Sequence, residues 1–360
     1  MFTPYKLNVF CLFIMFVGID GQAQSPSKHK GTMITEFITS EILKENSVGL
    51  DLRRTIKIYL PPGYAKSGKS YPVVYYCHSI FHNPDKVLEE RNLIGLLEES
   101  FDQKVLKELI LVMADYSTTT TGSIYENTKT TGRWLDYTVE EVVPFIDSHY
   151  RTLAQPASRA LVGDVMGGRG VFMLAMTHPE IFSVAYALNP VATALGVLPM
   201  PAYPKWDKIH AAKSFADLKD EPISQIFVTV SQAYLPNANR PPFYCDFLME
   251  AHTDGNFQIN AQHAKKMMDG FLVGRQVEHY AGNLSKLRAL AFDWSRYDPI
   301  QDHVYGSQSL SRTLDSFGIN HEAEEYRGVY WEENWKENGR FYARVLPFLN
   351  QHLVFDVREN

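Results

Sequence analysis

Gly163-Asp164-Val165-Met166-Gly167 has the spacing of G-x-S-x-G, in which a strand turns sharply into a helix and lifts a serine hydroxyl clear of the backbone for nucleophilic attack. It lies within "RALVGDVMGGRGVFMLAMTHPE" (159–180), an apolar strand followed by glycines and an amphipathic helix. The frame is intact, but the serine position holds Val165, which has no lone pair and no proton to exchange. Asp164 is the adjacent group with chemistry of its own. It sits one residue early, so its side chain is expected to leave the turn in another direction, and geometry precedes chemistry in choosing a nucleophile.

The elements that must position this turn can be read from periodicity. "RTIKIYLPPGY" (54–64) alternates and stops at Pro-Pro-Gly, whereas "YPVVYYCHS" (71–79) and "ELILVMADY" (108–116) are continuous apolar runs, as in strands buried on both faces. Helical spacing marks "DKVLEERNLIGLLEES" (85–100) and "WLDYTVEEVVPFIDSHY" (134–150). "FSVAYALNP" (182–190) reads as a strand. Late in the chain "RALAFDW" (288–294), "SQSLSRTLDSFG" (307–318), "HEAEEYRG" (321–328) and "RFYARVLPFLNQHL" (340–353) read as strand, helix, strand, helix. Such alternation predicts an α/β fold with a mostly parallel sheet between helices. Residues 191–287 break the rhythm with Pro- and aromatic-rich stretches and helical spacing around 259–274, and are expected to form a cap-like insertion over the active end. "STTTTGS" (117–123) reads as a surface loop.

Composition bounds the function classes. The chain has 360 residues and a net charge of −6, without a Lys/Arg block, which argues against nucleic acid or an anionic membrane surface as partner. The start, "MFTPYKLNVFCLFIMFVGIDGQAQS", has an apolar run from Val9 to Ile19 and then small residues, as in a secretory signal peptide of about residues 1–23. The expected location is therefore secreted or periplasmic. No later apolar run is long enough for a spanning helix, so the chain is not expected to be an integral membrane protein. Without the leader, Cys77 and Cys245 remain, enough for one bridge in an exported protein but not for a disulfide scaffold. Residues 24–50 read as a lead with a first strand, 51–353 as the main domain and 354–360 as a tail.

The chain resembles the putative esterase family of α/β-hydrolases, which includes esterase-D-like, feruloyl-esterase-like and mycolyltransferase-like proteins. The likeness spans residues 50–352. It is carried by "YLPPGY", "YPVVYYCHS", "TGRWLDYTVEEVVPFIDSHYRT", "ALVGDVMGGRGVFMLAMTHPEIFSVAYALNP", "PPFYCDF", "ALAFDWSRYD" and "SQSLSRTLDSFGINHEAEEYRG", in that order. The resemblance implies the α/β-hydrolase fold and a Ser, acid, His triad in chain order. Carried over, the acid falls on Asp298, the serine on Val165 and the histidine on Tyr330, in Gly328-Val329-Tyr330. A phenol with a pKa near ~10 is a poor general base at neutral pH. The oxyanion donors would be the backbone N–H of Met166 and of Ser79 or Ile80. "GSIYEN" and "TGRW" would bring Tyr125 and Trp134 to the cleft.

With two triad positions lost, the expectation is a catalytically degenerate homologue that keeps a cleft for a small-molecule, glycan- or lipid-ester-like ligand, with no metal and no cofactor. The alternative is a working hydrolase, lyase or isomerase with a remodelled site drawing on Asp164, His78, His303 and Asp298. A structural or interaction protein is the third reading. His78 and His82, four residues apart, could hold a metal only on a helix, and no second ligand cluster is evident. The blander expectation is that His78 is a remnant of the family's turn and that His303 packs at a helix start.

Overall fold

The computed structural model describes residues 30–195, 204–253 and 255–356. The expected leader and residues 357–360 of the tail lie outside this range. β1 (Thr32–Thr39) pairs antiparallel with β2 (Arg53–Leu60). β3 (Val73–Cys77), β4 (Ile110–Ala114), β5 (Arg159–Asp164), β6 (Val184–Leu188), β7 (Ala289–Ser295) and β8 (Glu322–Tyr326) complete one sheet. Its order is β1-β2-β4-β3-β5-β6-β7-β8. β2 meets β4 antiparallel, and every later pairing is parallel.

Helices connect and cover these strands: α1 (Pro84–Glu90), α2 (Leu93–Asp102), α3 (Val143–His149) and α4 (Met166–Thr177) in the first half. The second half contributes α5 (Pro222–Tyr234), α6 (Ala261–Phe271), α7 (Val273–Leu284), α8 (Gln301–Ser316), α9 (Tyr330–Glu333) and α10 (Leu346–His352). Strand side chains alternate between faces. Val73, Tyr75 and Cys77 accordingly join the core under α3, α4, α7 and α8, while Val74 and Tyr76 join the core under α1, α2 and α10. Covering helices on both faces explain why β3, β4 and β6 are apolar without interruption, and why β5 carries charge only at its two ends, Arg159 and Asp164.

The structure refines the sequence expectations at several helices. The single helix predicted over 85–100 is two, because Arg91 takes an extended conformation (φ −128°, ψ 135°) and ends α1. The helix over 134–150 carries a π-helical stretch at Tyr137–Val142, and another occurs at Phe341–Val345. Each runs up to the turn that holds a proline, Pro144 or Pro347, whose missing N–H breaks the ordinary ladder. The helix expected at 307–318 starts at Gln301 instead, and so takes His303 into its first turn. The helical signal around 259–274 is two helices, α6 and α7.

The segment expected as a cap divides. Trp206, Phe227, Phe243 and Phe271 form their own apolar cluster with Met166 of α4, whereas α7 inserts Val273 and Val277 into the main core. Cys77 and Cys245 are both buried free thiols, so the possible bridge is not formed. No helix among the described residues is long and apolar enough to cross a membrane.

Candidate active site at the elbow

Val165 holds φ 53° and ψ −113°, a backbone region that β-branched residues almost never enter. The turn is fixed from three sides. Val165 N–H donates to Leu188 O at 3.0 Å, and Val165 O accepts from Arg169 N–H at 3.2 Å and Val191 N–H at 3.3 Å. Gly167 lets strand and helix approach: a Cβ there would sit 1.9 Å from Cys77 O. Such strain costs on the order of 1–3 kcal/mol and is characteristic of functional sites. Here the strained turn is kept while its top carries an isopropyl group packed against the cap.

Asp164 is buried beside it with both carboxylate oxygens engaged. Oδ1 accepts from Tyr76 Oη at 2.7 Å and Arg91 Nη1 at 2.8 Å, and Oδ2 lies 2.7 Å from Arg91 Nη2. The break between α1 and α2 is what turns Arg91 inward. Burial opposes the Arg91 charge, but the Asp164 carboxylate outweighs it and holds the guanidinium above its ordinary range. The Trp335 ring lies 4.9 Å from the same guanidinium. Asp164 is thus one half of a bidentate ion pair.

Asp298 is 1% exposed and follows β7. Its Oδ2 accepts from His303 Nδ1 at 3.0 Å and Asn189 Nδ2 at 2.9 Å, and its Oδ1 accepts from Ile300 N–H at 2.8 Å. Burial pushes this carboxyl up, yet the bonds from His303, Asn189 and Ile300 together hold it below its usual range. Asn189 is itself fixed, since its Oδ1 accepts from Ser295 N–H at 2.8 Å. His303, with a side chain 20% exposed, lines the cleft above the elbow. Donation from Nδ1 to a carboxylate leaves Nε2 as the nitrogen with a lone pair, the tautomer a general base requires. His303 therefore does more than pack at a helix start.

Tyr330 opens α9 and borders the same cleft. Burial, reinforced by Asp298 and Asp164, pushes its phenol up to about 12, so it stays neutral at physiological pH. Met166 is the first residue of α4, where backbone N–H groups lack intrahelical acceptors, and Ser79 and Ile80 line the cleft opposite. Met166, Ser79 and Ile80 thus border one cleft.

Two expectations need correction, the part given to His78 and the cleft position of Tyr125 and Trp134. His78 does not border the cleft; Nδ1 donates to Ser79 O at 2.9 Å and Nε2 accepts from Tyr116 N–H at 2.9 Å, so both nitrogens are occupied. Burial lowers its pKa to about 4 and keeps it neutral. Tyr125 and Trp134 lie in the main core rather than in the cleft, because their rings pack around Tyr116 at 4.7 and 6.2 Å. Among the described residues, no group of three or more His, Cys, Asp or Glu converges to hold a metal.

The cleft has a volume of about 580 Å³ and lies between the elbow and the cap. Its walls are mostly apolar, with Ile226, Phe227, Phe271 and Leu272 contributed by the cap. Phe81, Leu195 and Trp331 remain 40%, 46% and 47% exposed at its rim. Arg169 of α4 pins the cap from below. Its guanidinium, fully buried, donates to Phe271 O at 2.8 Å, to Tyr234 Oη at 2.8 Å and to Glu126 Oε1 at 2.7 Å. Sequence reasoning missed Arg91, Asn189, Trp335 and Arg169. Only Asn189 carried a local signal, the Asn-Pro step after a strand.

Comparison with known proteins agrees with this geometry. The pattern of the family described as "Putative esterase" matches residues 47–242. The chain is 26% identical over 153 residues to the "Uncharacterized protein YbbA" of Bacillus subtilis, a match covering 39% of this chain and 56% of that one. It is 29% identical over 134 residues to an "Endo-1,4-beta-xylanase/feruloyl esterase" of Xylanibacter ruminicola, covering 36% of this chain and 18% of that one. The chain thus spans about half or less of the length of these relatives. Among solved structures, a ferulic acid esterase superposes with a TM-score of 0.60 at 15% identity, over 91% of this chain and 100% of that one. Elbow, sheet order and family match agree: the chain belongs to the putative esterase family and has the α/β-hydrolase fold.

Proposed function

We propose that this protein is a catalytically degenerate member of its family that binds a neutral, ester-like small molecule in the elbow cleft without forming an acyl-enzyme. The observation that carries this reading is Val165 at the top of the intact, strained turn. Removing a triad member costs several orders of magnitude in rate, and the remainder comes from oxyanion and binding contributions. The cleft walls favour an apolar acyl or aryl group. Its ionisable groups are largely closed on one another: Arg91 on Asp164, His82 on Glu90 at 3.0 Å, His303 on Asp298. With carboxylates outnumbering cations, an anionic ligand is disfavoured. The names of relatives, esterases and feruloyl esterases, support an ester as the class.

The test is labelling by a fluorophosphonate, read by intact mass, beside hydrolysis of a short acyl p-nitrophenyl ester. The native protein is expected to remain unlabelled and the Val165→Ser variant to label. Covalent modification of the native chain would overturn the reading.

A second reading is favoured by one specific observation, the 3.0 Å bond between His303 and Asp298. In it, His303 Nε2 takes a proton from water as the water oxygen attacks an ester carbonyl held by the Met166 and Ile80 N–H groups. The leaving alkoxide then recovers the proton. Slow hydrolysis by the unlabelled native protein, abolished in His303→Gln, would establish it over the first. Export is also proposed, on the apolar run Val9–Ile19 alone, and the mass of the mature chain recovered from its host tests it.

A further inference from the structure

Tyr330 is half-buried on the wall of the cleft, at the position where the family carries its histidine. Its hydroxyl has no hydrogen-bond partner among the described residues, and it is not sealed away as the Tyr75 and Tyr137 hydroxyls are. The oxygen is therefore open to the cleft. Its backbone is held from two sides: Ser295 of β7 donates through Oγ to Gly328 O, and Asn334 N–H donates to Tyr330 O at 2.9 Å. The Trp331 indole meets the Tyr330 ring edge-on, with centroids 4.9 Å apart. A group fixed in this way loses little freedom when a ligand meets it.

What the hydroxyl offers follows from its surroundings. Burial, then the Asp298 and Asp164 carboxylates, oppose loss of its proton, so at neutral pH it is a donor and not a base. Neither carboxylate receives that proton. Asp298 is taken by His303, Asn189 and Ile300, and Asp164 by Tyr76 and Arg91. A ligand that fills the cleft strips water from this donor and must supply an acceptor in its place.

We infer that Tyr330 Oη selects the ligand: it donates to an uncharged carbonyl oxygen, and thereby makes the cleft hold an intact ester in preference to the free acid. The inference rests on the cleft-binding reading proposed above. A hydrocarbon of the same shape would leave the hydroxyl unmet. A carboxylate would accept a stronger bond from the phenol. It would also bring an anion into a mostly apolar cleft whose lining carries Glu90, Asp164 and Asp302 against Arg91, itself closed on Asp164. Desolvating that anion without a free cation outweighs the stronger bond. The position of the family's base thus serves recognition instead of proton transfer.

Saturation-transfer NMR titrations of the full chain with acetophenone, α-methylstyrene and benzoate test it. The three probes share a shape and differ in what they present to the hydroxyl, and none can be hydrolysed. Acetophenone is expected to bind about tenfold more tightly than α-methylstyrene, and benzoate more weakly than acetophenone. Tyr330→Phe should weaken acetophenone about tenfold and leave α-methylstyrene unchanged. It should also keep the native urea midpoint, because the hydroxyl it removes has no protein partner. A ketone preference that survives in Tyr330→Phe, or benzoate binding as tightly as acetophenone, would overturn the inference. Equal affinity of the native protein for ketone and hydrocarbon would overturn it alone, whereas no transfer to any of the three probes would sink the cleft-binding reading with it.

Discussion

His303 Nδ1 lies 3.0 Å from Asp298 Oδ2, on a helix that precedes β8, whereas the family's histidine position follows β8 at Tyr330. A histidine oriented by the acid position therefore borders the cleft even though the expected histidine is absent. The missing group is the hydroxyl.

Restoring it should be sufficient. Val165→Ser alone is expected to gain fluorophosphonate labelling and p-nitrophenyl ester hydrolysis. His303→Gln in that background should lower kcat by about 10²–10⁴, the contribution of a positioned general base. Adding Tyr330→His should give much less. If Val165→Ser is silent until Tyr330→His is added, His303 is not the base of this site.

The Arg91–Asp164 pair makes a separable prediction. Arg91→Met leaves a buried carboxylate without its counter-charge and should destabilise the fold by about 3–5 kcal/mol, read by urea unfolding. Asp164→Asn should cost a comparable amount. The double variant should recover much of the loss, because the pair's own desolvation cost disappears with it. Additive losses would show that the two groups contribute independently.

The elbow, the parallel sheet and the acid position were legible because each has a short-range signature: glycines at a strand–helix turn, unbroken apolar runs, a motif in order. Arg91 was not, since helical periodicity carries smoothly through 85–100 and a single extended residue leaves no pattern. Tyr125 and Trp134 are placed in the cleft by the resemblance alone, and the residues themselves could not correct it, because aromatic residues near a loop read alike whether they face a ligand or a core. The importance of His303 depended on where its helix starts, and helix starts are poorly marked when the capping residue, here Ile300, offers no side-chain acceptor.

Arg169 should control the cap. Replacing it with Met removes the donors that hold Phe271 O, Tyr234 and Glu126 and leaves Glu126 without its counter-charge, with the Tyr234 hydroxyl still donating to it at 2.7 Å. Hydrogen exchange should then rise in α5 and α6 while the strands of the sheet keep their protection. Equal loss of protection in β3 and β5 would mean that cap and core unfold as one unit and that Arg169 is no local pin.

Finally, His78 predicts acid sensitivity with a definite sign. Burial holds its folded-state pKa at about 4, below an unfolded value near ~6.5. Between those values the unfolded chain binds a proton that the native imidazole refuses, so stability is full above about pH 6.5 and falls as pH drops toward 4. A shift of this size corresponds to a loss on the order of 3 kcal/mol across that window. His78→Gln removes the titration, and although it costs stability at pH 7, its unfolding free energy should vary less with pH between 4 and 6.5. An equally steep slope in the variant would assign the acid sensitivity to other groups.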